Sequence, residues 1–526
     1  MLKGWTYMER CRRGLVLLPA LMCWLFSAQV SAQGFGFQDV IDKAREKAGE
    51  SYQAPTPVPQ FLQELSQEQY QGIRFKSENS LWRESGSHFQ VSLMSPGLYF
   101  KHAVKLNVVD AQGVHDLPYD KNNFTYTSEE LARRVPADLG YGGFRLTYPD
   151  ADAENGRRAF MVFAGASYFR AIGKNNHFGL SARGIAVNTG LPSGEQFPSF
   201  TEFWLIRPNA KADTLTLYAL LDGRSLTGAY QFDIRLGDAA VMDVKSRLFI
   251  RNDIEKLGVA PLTSMFFYGG NTARPVGEWR PRVHDSDGLL MHDGGSGEWL
   301  WRPLLNPKNL KIDYFSAAQV QGFGLMQRQT RFDDFQDFGA HYHERPSTWV
   351  QPKGEWGKGR VSLVQLPSNN EVNNNIVAFW TPDEPVRQGQ TLAYDYQLKV
   401  GAPTVSGSDR ASAVKTFVGD GNRAGGGNVE GAYRIVVDFA GGPLKDVPGN
   451  APVTSDVIAE GDGEVIEHFV EFLAPVNRWR VSILARPAAD QPLSLRAFLK
   501  KGEDTVSETW SYEIPVNNDI LGGDAR

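Results

Sequence analysis

The sequence predicts an all-β protein: a large many-stranded β-sandwich followed by a smaller immunoglobulin-like β-sandwich, with a few short helices near the N-terminus. Three observations predict it. Apolar residues alternate with polar ones at period two over much of the chain. Aromatic residues at 12%, with 53 Gly and 29 Pro in 526 residues, suit short strands joined by tight turns. Finally, no regular strand–helix alternation or fixed repeat suggests a parallel sheet or a solenoid.

The first 32 residues stand apart. Arg10, Arg12 and Arg13 precede the apolar run Leu15–Phe26, and Val30-Ser31-Ala32 offers small residues for cleavage. This pattern predicts a secretory signal peptide over residues 1–32, too short for a stable membrane span. Both cysteines, Cys11 and Cys23, lie inside it. An exported chain would then have no disulfide, thiolate metal site or cysteine nucleophile. Cys23 lacks the small preceding residues of a lipoprotein signal, so no lipid anchor is expected. A large, exported, cysteine-free chain points to the periplasm of a Gram-negative bacterium. The formal charge of −5 becomes more negative once the basic leader is lost. With no basic block, nucleic acid and anionic lipid are excluded as partners.

From residue 33 onward, helical spacing comes first. Phe37, Val40, Ile41, Ala44 and Ala48 mark one helix and Phe61, Leu62, Leu65 and Tyr70 another, parted by the proline-rich piece Pro55–Pro59. Ser128–Val135 reads as a third, with Ser128 as cap. Strands follow from Phe89, Val91 and Leu93, from Leu215, Leu217 and Ala219, and from Trp479, Val481, Ile483 and Ala485. The small, polar stretch Gly401–Ala411 is the clearest boundary. It divides a large domain, 33–400, from an immunoglobulin-like domain, 412–518, with the linker at 401–411 and a disordered tail at 519–526.

Several motifs exclude chemistry. The run Gly419–Gly427 is followed by a strand-like segment rather than a helix, so it reads as a hairpin loop and not a phosphate cradle. No Gly-x-Ser-x-Gly elbow supports a serine hydrolase. His341 and His343 would share one face of a strand, but with no evident third ligand neither a metal nor any cofactor is assigned.

One stretch concentrates chemistry. Trp279–Leu304 packs four acidic residues, two histidines and three tryptophans into 26 positions. On an extended backbone Asp285 and Asp287 would present carboxyls to one face, beside His284. Trp299 and Trp301 would share a face, with Glu298 and Arg302 opposite. Flat aromatic faces stack on sugar rings, and paired carboxyls on either side of a glycosidic bond supply acid and base. The alternative is a turn with solvated aspartates and core tryptophans.

A set of longer blocks carries a resemblance: "FGLSARGIAVNTG" (Phe178–Gly190), "FTEFWL" (Phe200–Leu205), "RVHDSDGL" (Arg282–Leu289), "GEWLWRPL" (Gly297–Leu304), "GFGLMQR" (Gly322–Arg328), "RPSTWVQPKGEWGKG" (Arg345–Gly359) and "NNIVAFW" (Asn374–Trp380). In this order they resemble the periplasmic glucans biosynthesis protein G/D family, its G branch more than its D branch. The resemblance implies a large sandwich followed by an immunoglobulin-like domain, and a role in making osmoregulated periplasmic glucans with β-1,2-linked backbones. It also implies inverting endo-β-1,2-glucanase chemistry, with one catalytic carboxylate in His284–Asp287, at Asp285 or Asp287. The acid position reads Asn374, and an amide cannot serve as that acid. Expected substrate contacts are Trp279, His284, Glu298, Trp299, Trp301, Arg302, Arg345, Trp349 and Trp356. β-1,2-Glucan and the membrane glucan synthase are the expected partners. A non-catalytic glucan-binding or chaperone-like module serving that synthase is the alternative.

Overall fold

The computed structural model describes residues 34–516, except 154, 155 and 424. The expected signal peptide with both cysteines, and the expected tail, lie outside the described residues. Of the described residues 49% are in strands and 11% in helices, so the all-β expectation holds.

Two large sheets face each other. A ten-stranded sheet contains, among others, Gly143–Pro149, Arg157–Ala164, Leu257–Ser264 and Ile376–Pro382. A fifteen-stranded sheet includes Ser199–Ile206, Thr214–Asp222, Leu226–Leu236 and Thr391–Gly401. Alternating side chains from both meet in one apolar core. Phe144 and Phe163 of the first sheet pack edge-on against Phe203 of the second, with ring centroids 5.1 and 5.5 Å apart. Pairing is antiparallel almost throughout, and tight turns connect hairpins such as Thr214–Asp222 with Leu226–Leu236.

The expected helices form for the reasons read from sequence. Phe37–Ala48 lays Val40 and Ala44 on Trp204, Leu220 and Phe249, covering the outer face of the larger sheet. The second splits into Gln60–Gln63 and Gln67–Gln71, because Ser66 accepts the Gln69 N–H and starts a new helix. Ser128 caps Glu129–Arg134 by accepting the Leu131 N–H. Among the described residues no helix is long and apolar enough to cross a membrane.

Beyond residue 401, Ser412–Asn422 and Asn428–Ala440 form the hairpin expected around the glycine run. With Glu464–Leu473 and Arg478–Arg486 they make a four-stranded sheet. Its inner face, Ile435, Val437, Val481 and Ile483, packs on Leu495, Leu499, Trp510 and Tyr512. These last residues belong to strands that extend the fifteen-stranded sheet itself. Thr509–Ile514 pairs in parallel with Trp299–Pro303, setting Trp301 opposite Trp510.

A buried ion pair closes this junction. Arg328 Nη1 and Nη2 donate to Glu508 at 2.9 and 2.8 Å, and Nη1 also donates to the Ala413 carbonyl at 2.7 Å. Glu508 further accepts the Ala413 N–H at 3.1 Å, and the Arg328 guanidinium lies 3.5 Å above the Trp301 ring. Glu508→Ala would leave a buried guanidinium without its anion. Chemical denaturation is expected to show a loss of ~3–5 kcal/mol; a loss below ~1 kcal/mol would mean that this pair does not hold the junction.

Candidate active site

The segment His284–Asp287 runs from the end of one strand, Val283–His284, to the start of another, Gly288–Asp293, with a bend at Asp285. That bend overturns the extended geometry read from sequence. Asp285 and Asp287 do not share a face but meet different partners. Between them Ser286 is fully buried and accepts the Ser264 hydroxyl at 2.8 Å.

Asp285 is enclosed, its N–H held by the Met265 carbonyl at 2.8 Å. Arg345 Nη1 stands 3.1 Å from its Oδ1. Burial pushes the Asp285 pKa upward; Arg345 and Arg170 pull it down, and Glu371 is near enough to push it up again. Tyr342 shares this environment. Its hydroxyl is raised by burial first, then by Glu371 and Asp285, against Arg345 and Arg280. Gln327 fixes the tyrosine's backbone by donating from Nε2 to the carbonyls of both His284 and Tyr342. Asp285, Glu371 and Tyr342 therefore feel one another's charge, among the guanidinium groups of Arg170, Arg280 and Arg345.

Arg280 gathers the loops around them. It bonds Glu278 at 2.8 Å, Asp337 at 3.0 Å and Glu371 at 2.6 Å, drawing three separate loops to one point. Beside these anchors are exposed apolar side chains: Trp279 at 65%, Phe338 at 77% and Val372 at 81% exposure. Exposed aromatic faces on loops that also carry a buried and a half-buried carboxyl supply the group types that sugar recognition and acid–base chemistry use.

The other expected site residues lie elsewhere. Asp287 turns toward the junction, accepting the Arg328 N–H at 3.3 Å and Gln329 Nε2 at 3.4 Å. His284 is 1% exposed, stacked on Phe266 and edge-on to Phe335. Burial takes its pKa down to about 3, as for a neutral core histidine. Trp301 and Trp349 are buried because glycines face them. A Cβ at Gly288 would come within 2.1 Å of the Trp301 ring, and one at Gly322 within 2.1 Å of Trp349. Trp299 is sandwiched between His292, at 4.2 Å, and Trp349, at 5.5 Å. Trp356 packs with Trp380 and Tyr394 and donates to the Asp395 carbonyl at 3.1 Å. Glu298 pairs with Arg496, and Arg302 with Asp313 at 3.3 Å, in a separate polar groove of about 310 Å³.

Asn374 is exposed on the loop that carries Glu371. The buried amide is its neighbour Asn375, which exchanges two hydrogen bonds of 2.9 Å with the Phe266 backbone. His341 and His343 do not share a strand face. His341 adopts a left-handed conformation, φ 52°, ahead of the turn Tyr342–Glu344. Its ring stacks on His177, and the ligand atoms of His177, His341 and Glu344 lie within 4.8 Å of one another.

Sequence reasoning missed Arg170, Arg280, Tyr342, Phe338 and His177. No local motif marks them; only the pairing of distant strands and loops brings them together.

The chain is similar to known proteins along most of its length. The family model described as "Periplasmic glucan biosynthesis protein, MdoG" matches residues 35–514. Glucans biosynthesis protein G of Ralstonia nicotianae is 42% identical over 501 residues, covering 93% of this chain and 98% of its own length. Its namesake in Pseudomonas aeruginosa is 41% identical over 494 residues, covering 92% and 93%. Among solved structures, an α-galactosidase from Lactobacillus brevis overlaps 42% of this chain and 29% of its own. Its identity of 12% and TM-score of 0.23 carry no argument.

The electrostatics of Asp287 give a test. Burial pushes its pKa up from 3.8 to about 6. A carboxyl raised on folding contributes most when protonated, and that contribution is lost as pH rises through the folded pKa. Asp287→Asn, always neutral, should therefore gain in Tm relative to wild type between pH 4 and pH 7. A Tm difference independent of pH would contradict the burial of this charge.

Proposed function

The chain belongs to the MdoG family of periplasmic glucan biosynthesis proteins, and from that premise we propose that it binds the β-1,2-glucan backbone over Asp285 and Glu371 and trims it slowly. Its role in periplasmic glucan biosynthesis follows from the family. The finer reading rests on one observation: Asp285, buried and raised in pKa, feels the charge of Glu371, whose loop Arg280 ties to those of the exposed Trp279 and Phe338.

Each group has a part in inverting hydrolysis. The rim aromatics offer faces for glucosyl rings. Asp285 takes the base side: a carboxylate whose pKa moves toward neutral pH is a stronger base for water than an ordinary aspartate. Arg345, at 3.1 Å, orients it. Glu371 is the carboxyl available on the acid side, since Asn374 has no acidic proton. Arg280 stands 2.6 Å from Glu371, however. While it holds that guanidinium, Glu371 is not free to face a glycosidic oxygen, so turnover is slow. The same contact, with Asn374, favours the second reading: a non-catalytic module that holds nascent glucan for the membrane synthase.

Incubation with linear β-1,2-glucan, followed by chromatography of the products and calorimetry of binding, tests both readings. Wild type is expected to bind and to shorten the glucan slowly. Asp285→Asn should still bind but cleave ~10²–10⁴-fold less, and Asn374→Asp should raise cleavage within the same range. Binding without products, even in Asn374→Asp, would establish the module reading; absence of binding would overturn both.

A further inference from the structure

We propose that His177, His341 and Glu344 form a binding site for one divalent transition-metal cation of the zinc class. Two imidazoles and one carboxylate make a borderline-soft donor set, suited to zinc rather than to calcium or magnesium.

The spacing is close to what such an ion needs. Glu344 Oε2 lies 3.1 Å from His177 Nε2 and 3.0 Å from His341 Nδ1. Ligands around a tetrahedral ion with bonds of about 2.0–2.1 Å stand about 3.3 Å apart. The rings are stacked 4.0 Å apart at 12°, so binding requires only that they splay until both nitrogens face one point.

The backbone fixes the three residues beforehand. The Glu344 carbonyl accepts the His177 N–H at 3.0 Å and Asn176 Nδ2 at 3.1 Å, tying the two segments together. His341 is held at φ 52°, a conformation that costs a non-glycine residue free energy and is often found where a site demands it. Of the nearby positive groups, Arg345 is paired with Asp285, and Arg158 donates to the carbonyls of Lys174 and Asn176. The negative charge of Glu344 is thus left facing the histidines. His343, with Nε2 3.5 Å from the other carboxylate oxygen, is outside the triad.

His177 and Glu344 also line a cavity of about 870 Å³, together with Tyr148, Asp150, Arg158 and Lys174. The remaining coordination position opens there, to water or a sugar hydroxyl. The ion would clamp the turn just before Arg345, the residue beside Asp285. That role rests on the reading of Asp285 as functional; the binding of the ion does not.

The experiment is calorimetric titration of the untagged, chelator-treated chain with zinc chloride, with parallel melting curves. One zinc per chain at micromolar or tighter Kd, with a rise in Tm, is expected. His177→Ala and His341→Ala should each weaken binding at least tenfold and abolish the Tm rise, while His343→Ala should change neither. Unchanged melting of the variants without zinc would show that they fold. No heat and no Tm shift at millimolar zinc, retention of binding in either triad variant, or equal affinity for magnesium or calcium would each overturn the proposal. Loss of glucan cleavage with zinc binding intact would bear on Asp285 alone.

Discussion

Charge taken out of water has to be partnered, and the chain takes a histidine, a serine and two aspartates largely out of water in succession at residues 284–287. Neighbouring carboxyls cannot share one small enclosure without repelling each other. The bend at Asp285 resolves this by sending the two aspartates to different partners. Asp285 meets Arg345 and the loops beneath Trp279, while Asp287 meets the backbone of Arg328. Arg328 in turn holds Glu508, and through it the start of Ser412–Asn422. One short segment thus joins the candidate site to the junction of the two sandwich regions.

Much of the fold was legible because it follows local rules. Period-two alternation placed strands such as Thr214–Asp222 and Arg478–Arg486 with the expected side chains inward. Ser128 announced its helix by cap chemistry alone. The single long helix read across Phe61–Tyr70 failed because Ser66, a strong cap, restarts the chain there.

The site was legible only in part. Asp285, Arg345 and Trp279 were named from sequence; Arg345 stands beside Asp285, and Trp279 lies on the loop anchored by Arg280. The tryptophans were placed in the same wall because they are neighbours along the chain. Their burial depends on glycines from facing strands, Gly288 under Trp301 and Gly322 under Trp349. No local pattern carries that information. The same holds for Tyr342, whose backbone Gln327 ties to that of His284, and for the way Arg280 draws in the Glu371 loop, although Glu371 itself stands out in the sequence as the carboxyl nearest Asn374.

The central claim is that glucan meets the chain over Asp285 and Glu371 and not at its other concavities. The most direct test is a crystal structure with a linear β-1,2-linked gluco-oligosaccharide. The account predicts a glucosyl ring against Trp279 or Phe338 and a glycosidic oxygen facing Asp285 and Glu371. An oligosaccharide seated instead beside Tyr148, or in the groove of Arg302 and Arg496, with Asp285 still enclosed, would contradict it.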